Sequence, residues 1–355
     1  MGSLNVEKKW VFPLVISSLI CLFLLATCFN MGLVSSLHTI NQIFNIFPFR
    51  SNQTTQGFAE KEASLSPSPP LPSKIPRFAY LVSGSKGDLE KLWRTLHSLY
   101  HPRNEYVVHL DLESPAEERL ELASRVEKHP IFAKFGNVYM ISKANMVTYR
   151  GPTMVSNTLH ACAILLKRRK DWDWFINLSA SDYPLVTQDG SAWMVLTRSF
   201  VEYLIWGWDN LPRTLLMYYT NFISSPEGYF HTVICNVPEF AQNAVSHDLH
   251  YIAWDNPPKQ HPHILTINDT NEMIASGAAF ARKFKHDDPV LDKIDKDLLR
   301  RKNGSFTPGG WCSGSPKCSE VGNLDNIKPG PGASRLKDLI SRVALLTNLK
   351  QNQCK

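Results

Sequence analysis

The chain has 355 residues, 43% hydrophobic and 20% charged, a balance that describes a folded body and excludes a disordered one. Its formal charge of +6 is scattered, apart from short runs at 167–170 and 300–302. Nucleic-acid binders concentrate their basic residues and interleave aromatics, so nucleic acid is not expected as a partner.

In chain order, the first signal is apolar. Residues 10–49 hold no Asp, Glu, Lys or Arg, and Trp10 to Phe29 is long enough to cross a bilayer as a helix. Lys8 and Lys9 precede this segment and the next basic residue is Arg50, so the positive-inside rule puts the first nine residues in the cytosol and the remainder in a lumen. We assign residues 1–9 to a tail, 10–34 to a signal-anchor, 35–76 to a Pro/Ser-rich stem and 77–350 to a luminal domain. The competing reading is a cleaved signal peptide, which ordinarily has a shorter apolar region and a small-x-small cleavage site.

The domain opens with a β-rich run, Arg77 to Val82, broken by Ser83 to Gly87. Asp88 suits a helix N-cap, and Leu89, Leu92, Leu96 and Leu99 recur at helical spacing. Further strands are expected at 105–110, 137–142 and 171–178, with helices at 115–128 and 153–167 between them. This alternation predicts an α/β fold with a mainly parallel sheet, which binds ligands at the carboxyl ends of its strands. Beyond Gly190 the spacing predicts a strand over 191–200, a helix over 201–208, a loop rich in Pro and His over 247–263, a charged helix over 287–301 and a last helix over 333–349.

Five of the seven cysteines lie beyond the apolar segment, so at least one of them is unpaired within the chain. Cys312 and Cys318 are our first-choice pair. Asn52, Asn268 and Asn303 head sequons that suit glycans in a lumen; Asn177 also matches but lies inside an apolar strand.

Several residues could carry chemistry. Asp111 ends the second strand and could accept hydrogen bonds from a ribose or a uracil; the alternative is a helix cap. Asp182 follows the fourth strand and could touch a ligand or merely shape the turn before Pro184. Asp171-Trp172-Asp173 matches the D-x-D pattern that holds a metal on a diphosphate, but it starts its strand, at the wrong end of the sheet. Glu227, in a Pro-Glu-Gly turn, suits a general base. Arg282 and Lys283, between Phe280 and Phe284, could neutralise a phosphate; a helix face with snorkelling basic chains is the other reading. His247, His250, His261 and His263 raise a zinc site, against which Pro262 and the lack of an i, i+4 pair argue.

Seven blocks in order carry a resemblance: RFAYLVSGSKGD (77–88), YVVHLDLES (106–114), WDWFINLSASDYPL (172–185), GSAWMVLTRSFVEY (190–203), SPEGYFHTVICN (225–236), WDNPPKQHPH (254–263) and FARKF (280–284). Together they resemble the core-2/I-branching family of glycosyltransferases, which also includes peptide O-xylosyltransferases, and within it the plant β-glucuronosyltransferase branch. The resemblance implies a GT-A-like domain on a type II Golgi anchor, and inverting transfer from a UDP-sugar to a glycan hydroxyl on arabinogalactan proteins. It places Asp111 at the uridine, Lys283 at the donor diphosphate with Arg282 or Lys259 assisting, and Glu227 at, or next to, the catalytic base. Several members use basic residues in place of a divalent metal, so no cofactor is required, with a divalent metal as the alternative. Other Golgi transferases are the further partners it suggests.

One departure stands out. In the family a long segment separates the SDYPL block from the GS-x-W block, and here only Val186 to Asp189 join them. The expectation is a shortened form with impaired transfer; the alternative is a non-catalytic Golgi protein that binds active transferases.

Overall fold

The structure, a computed structural model, describes residues 75–354 apart from 170, 187–194, 208, 246, 248, 313–317, 319–320, 326, 328–329, 331 and 346–353. The chain divides into two units, Met1–Pro70 and Leu71–Lys355, and every described residue belongs to the second. The expected tail and anchor, most of the stem, Asn52, and Thr187 to Gly190 at the short join lie outside the described residues. Among the described residues no helix is long and apolar enough to cross a membrane.

Alternation holds through the first half: β1 (Phe78–Gly84), α1 (Leu89–Leu99), β2 (Glu105–Leu110), α2 (Ala116–Lys128), α3 (Pro130–Phe135), β3 (Val138–Met140), α4 (Thr153–Arg168) and β4 (Trp174–Ser179). The two-residue β5 (Tyr183–Pro184) follows. Next come β6 (Val195–Thr197), α5 (Arg198–Trp206), α6 (Leu211–Tyr218), α7 (Ser225–Cys235), α8 (Pro238–Ala241), β7 (His250–Ile252), α9 (Thr270–Ser276), β8 (Phe280–Arg282), α10 (Pro289–Ile294) and α11 (Gly332–Val343). A π-helical turn, Asp295–Leu299, extends α10.

Five strands form one sheet in the order β3-β2-β1-β4-β6. All its pairings are parallel except that of β4 with β6. Val82 pairs with Val108 on one side and Leu178 on the other. Side chains alternate across a strand, so each strand feeds two cores. Tyr80, Val82, Val108 and Leu178 pack with Leu92 and Leu96 of α1 and Phe132 of α3. On the opposite face Leu81, Val107 and Phe175 meet Cys162 and Leu165 of α4, Val201 of α5 and Val233 of α7. Burial on both faces is what a parallel sheet needs, and each fully buried Leu or Val is worth about 1.5–3 kcal/mol.

A second sheet, in the order β5-β8-β7, has its own core, in which Tyr183, Leu185, Phe284, Leu291 and Ile294 pack together.

Three expectations need correction. The expected strand stops short of Phe200: helix begins at Arg198, directly after β6, where the Thr197 hydroxyl accepts a bond from Phe200 N at 3.2 Å. His250–Ile252 is a strand within the expected loop, because it pairs in parallel with β8. The Arg282 segment is strand, not helix, held between β5 and β7.

Cysteines pair as Cys312–Cys318 and Cys235–Cys354. Cys162 is unpaired in the core, where burial pushes its thiol pKa up.

Candidate functional site

Asp111 lies just beyond β2, with its backbone N–H bonded to the Gly84 carbonyl of β1 at 3.0 Å. Its Oδ1 accepts from the Ser114 backbone N–H and hydroxyl, both at 3.1 Å, so the carboxylate closes its own loop. Burial raises its pKa, and the two Ser114 bonds work in the opposite direction. This is an Asp at a strand carboxyl end with its geometry set in advance of any ligand.

Asp182 is fully buried beyond β4. Its Oδ2 accepts from Ser179 N at 2.7 Å, and its Oδ1 lies 3.4 Å from Nε of Arg282 at the end of β8. Desolvation raises the Asp182 pKa while the Arg282 charge lowers it. Two backbone bonds clamp the same junction: Phe284 N to Ser181 O at 3.3 Å and Leu185 N to Ala279 O at 2.8 Å. Asp182 therefore joins the two sheets, and Lys283 follows Arg282 directly at that seam. The Lys283 carbonyl is fixed by Leu265 N at 2.9 Å. Lys259 stands elsewhere, 75% exposed, with Nζ 2.9 Å from Asp255 Oδ2.

A recess at this seam is lined by Lys91, Arg94, Thr95, Asp182, Tyr183 and Phe284. It has room for about one water molecule, far below the roughly 300–1,000 Å³ of a ligand pocket. Below it lies a charged network that the sequence did not reveal. Tyr183 OH donates to Asp295 Oδ1 at 2.6 Å, Arg94 Nη2 reaches Asp295 Oδ2 at 2.8 Å, and Arg301 Nη1 reaches the Tyr183 oxygen at 2.7 Å. The Arg301 side chain is 0% exposed and that of Asp295 3%, so each charge depends on the others. Arg94 and Asp295 are 201 residues apart, and no local pattern signals such a pair.

Glu227 occupies the first turn of α7, correcting the expected Pro-Glu-Gly turn: proline is tolerated at a helix start, and here it begins one. Its side chain is exposed. Three bonds tie the start of α7 to the loop before α4: Ser224 N to Tyr149 O at 2.7 Å, Gly151 N to Phe222 O at 2.8 Å, and Ser225 Oγ to Gly151 O at 2.6 Å. Gly228 is required next to Glu227, because a Cβ there would overlap the Tyr219 ring. The Tyr219 hydroxyl shares a 3.0 Å bond with Thr232 further along the helix.

The histidines disperse. His250 is buried against Phe280, with ring centroids 5.0 Å apart, while His263 Nδ1 sits 2.9 Å from Asp255 Oδ1. His247 Nδ1 accepts from Leu249 N at 2.9 Å, and His261 is exposed. Among the described residues no group of three or more His, Cys, Asp or Glu is arranged to hold a metal. Asp171 pairs with Arg77, and Asp173 accepts from Arg77 N at 2.8 Å, so the D-x-D run ties strand starts together. Asn268 and Asn303 are exposed and Asn177 is half-buried.

Comparison with known proteins bears on this arrangement. The family model described as core-2/I-branching enzyme matches residues 78–190 and, separately, 187–274. The chain is 47% identical to the β-glucuronosyltransferase GlcAT14A of Arabidopsis thaliana over 424 positions, covering 98% of this chain and 93% of the relative. It is 48% identical to GlcAT14B of the same plant over 422 positions, covering 99% and 96%, and 39% identical to GlcAT14C, covering 88% and 94%. Since 98% of 355 residues is about 348, roughly 76 of the 424 aligned positions fall opposite no residue of this chain. The family match breaks at 187–190, the site of the short join.

Proposed function

The chain belongs to the core-2/I-branching enzyme family of glycosyltransferases, and from that premise we propose that it derives from a Golgi enzyme that moves glucuronate from UDP-glucuronate onto β-galactan chains of arabinogalactan proteins. The observation that carries this reading is the likeness, along nearly the whole chain, to proteins named β-glucuronosyltransferases. The apolar run after Lys8 and Lys9 supports residues 10–34 as the anchor, 35–76 as the stem and 77–350 as the luminal domain.

In this reaction the Glu227 carboxylate takes the proton of the acceptor hydroxyl. The acceptor oxygen forms a bond to the anomeric carbon as the bond from that carbon to the diphosphate breaks on the opposite face. UDP departs with the electron pair. Lys283 stabilises the charge developing on the diphosphate. Asp111 holds the uridine from the end of β2. Arg282 contributes to the field beside Lys283 while Asp182 balances its charge. Lys259, exposed and 2.9 Å from Asp255 Oδ2, assists at the donor diphosphate in this scheme. This scheme assigns the diphosphate to basic side chains and gives a divalent metal no step.

The break in the family match supports a second reading for this shortened form: a non-catalytic Golgi protein that keeps UDP binding and associates with active transferases. One assay separates the readings. Transfer from radiolabelled UDP-glucuronate to β-galacto-oligosaccharides is measured for this chain and for a version carrying the missing segment. The expected result is transfer by the restored protein and little by the short one; equal rates would remove the impairment, and no transfer by the restored protein would sink the enzymatic reading.

A further inference from the structure

Arg150 lies in the loop between β3 and α4, and several bonds fix its backbone. The Thr148 hydroxyl donates to its carbonyl at 2.9 Å, and Thr148 N donates to the Thr153 hydroxyl at 2.9 Å. Arg150 also pairs with Ile223 in an isolated antiparallel bridge. The next residue, Gly151, has a φ of 71°, and a Cβ there would lie 3.1 Å from the Thr220 carbonyl oxygen. A residue with a side chain would be strained at that position and crowded as well.

The side chain of Arg150 is handled differently from those of Arg282, Lys259 and Arg94. Arg282 faces Asp182, Lys259 faces Asp255, and Arg94 faces Asp292 and Asp295. Arg150 is exposed and has no ion-pair partner among the described residues. The bonds that hold its loop are the same ones that fix Ser224 and Ser225, and Glu227 N bonds to the Ser224 carbonyl at 3.1 Å. One platform therefore presents a cation and the candidate base, and the two do not neutralise each other. Holding an unpaired guanidinium on a braced loop has a use if a ligand brings the carboxylate.

We propose that Arg150 binds the C6 carboxylate of a hexuronate donor and so selects a uronic acid over the neutral hexose. A guanidinium offers two parallel N–H donors that match a carboxylate, whereas the hydroxymethyl group of a neutral hexose offers neither charge nor fork. Charged hydrogen bonds of this kind discriminate on the order of 10- to 100-fold. The proposal rests on the UDP-glucuronate reading above and gives it a residue.

The test is a calorimetric titration of the full chain in detergent with UDP, UDP-glucose and UDP-glucuronate. UDP-glucuronate is expected to bind on the order of 10- to 100-fold tighter than UDP-glucose. Arg150→Gln should remove that preference and leave UDP affinity unchanged, and Arg150→Lys, which keeps the charge but not the fork, should retain part of it. Full preference in Arg150→Gln, or UDP binding with no preference in the parent chain, overturns the proposal and leaves the transferase reading standing. Failure of the parent chain to bind UDP overturns the proposal for this chain, and the transferase reading is then decided by the transfer assay on the restored protein.

Discussion

The Asp182 corner and the Glu227 corner are both set by loops that leave the carboxyl ends of strands, and they treat charge in opposite ways. At Asp182 the buried charges meet others: Arg282 lies at 3.4 Å, and Asp295 sits between Arg94 and Arg301. At Glu227 the backbone is tied by three bonds while Glu227 and Arg150 project outward. Buried charges must be matched within the protein, because desolvation without a partner costs several kcal/mol. Exposed ones keep their solvation and can exchange it for a ligand. The buried charges of the first corner therefore hold the two sheets together, and the exposed ones of the second stay open to a ligand.

Removing one member of the buried network should break this comparison most severely. Asp295→Ala leaves Arg94 and Arg301 without their shared carboxylate and is expected to cost about 3–5 kcal/mol, out of a total near 5–15. A urea midpoint that shifts by less than the equivalent of about 1 kcal/mol would show that the network does not support the fold. Gly228→Ala is next, at about 1–3 kcal/mol, because the new methyl must displace Tyr219 from the start of α7. An unchanged melting temperature would mean that the ring is not packed there. Glu227→Gln should have the smallest effect on stability, within about 0.5 kcal/mol, as for an exposed residue. In the segment-restored protein the same substitution should lower transfer by about 100-fold or more. Near-normal turnover would remove Glu227 as the base.

The alternating half of the fold could be read from sequence because its signals are local. Leu89, Leu92, Leu96 and Leu99 mark a helix face, and apolar runs bounded by Gly and Pro mark β1, β2 and β4. The second half was harder for physical reasons. The apolar stretch before Phe200 fits either period, and it was the Thr197 cap that decided where helix begins. Phe280 to Arg282 are strand because of β5 and β7, which lie far away in sequence. Pro226 and Gly228 look like turn residues, but one starts a helix and the other makes room for Tyr219. The candidate residues themselves were visible one at a time. Their pairings were not, since the contacts of Asp182 with Arg282 and of Arg94 with Asp295 join distant parts of the chain.

Strand β6 has a consequence of its own. Among the described residues it is the outer strand of the five-stranded sheet, its described part covers Val195–Thr197, and Thr197 turns the chain at once into α5. Natural sheets use such stubs to discourage neighbouring molecules from adding strands edge to edge. Although roughly 76 positions of the alignment with GlcAT14A fall opposite no residue of this chain, this side of its sheet finishes with an edge that offers little template for fibrous growth. β6 and its immediate turn into α5 give this edge of the main sheet little reason to accumulate as stacked aggregate.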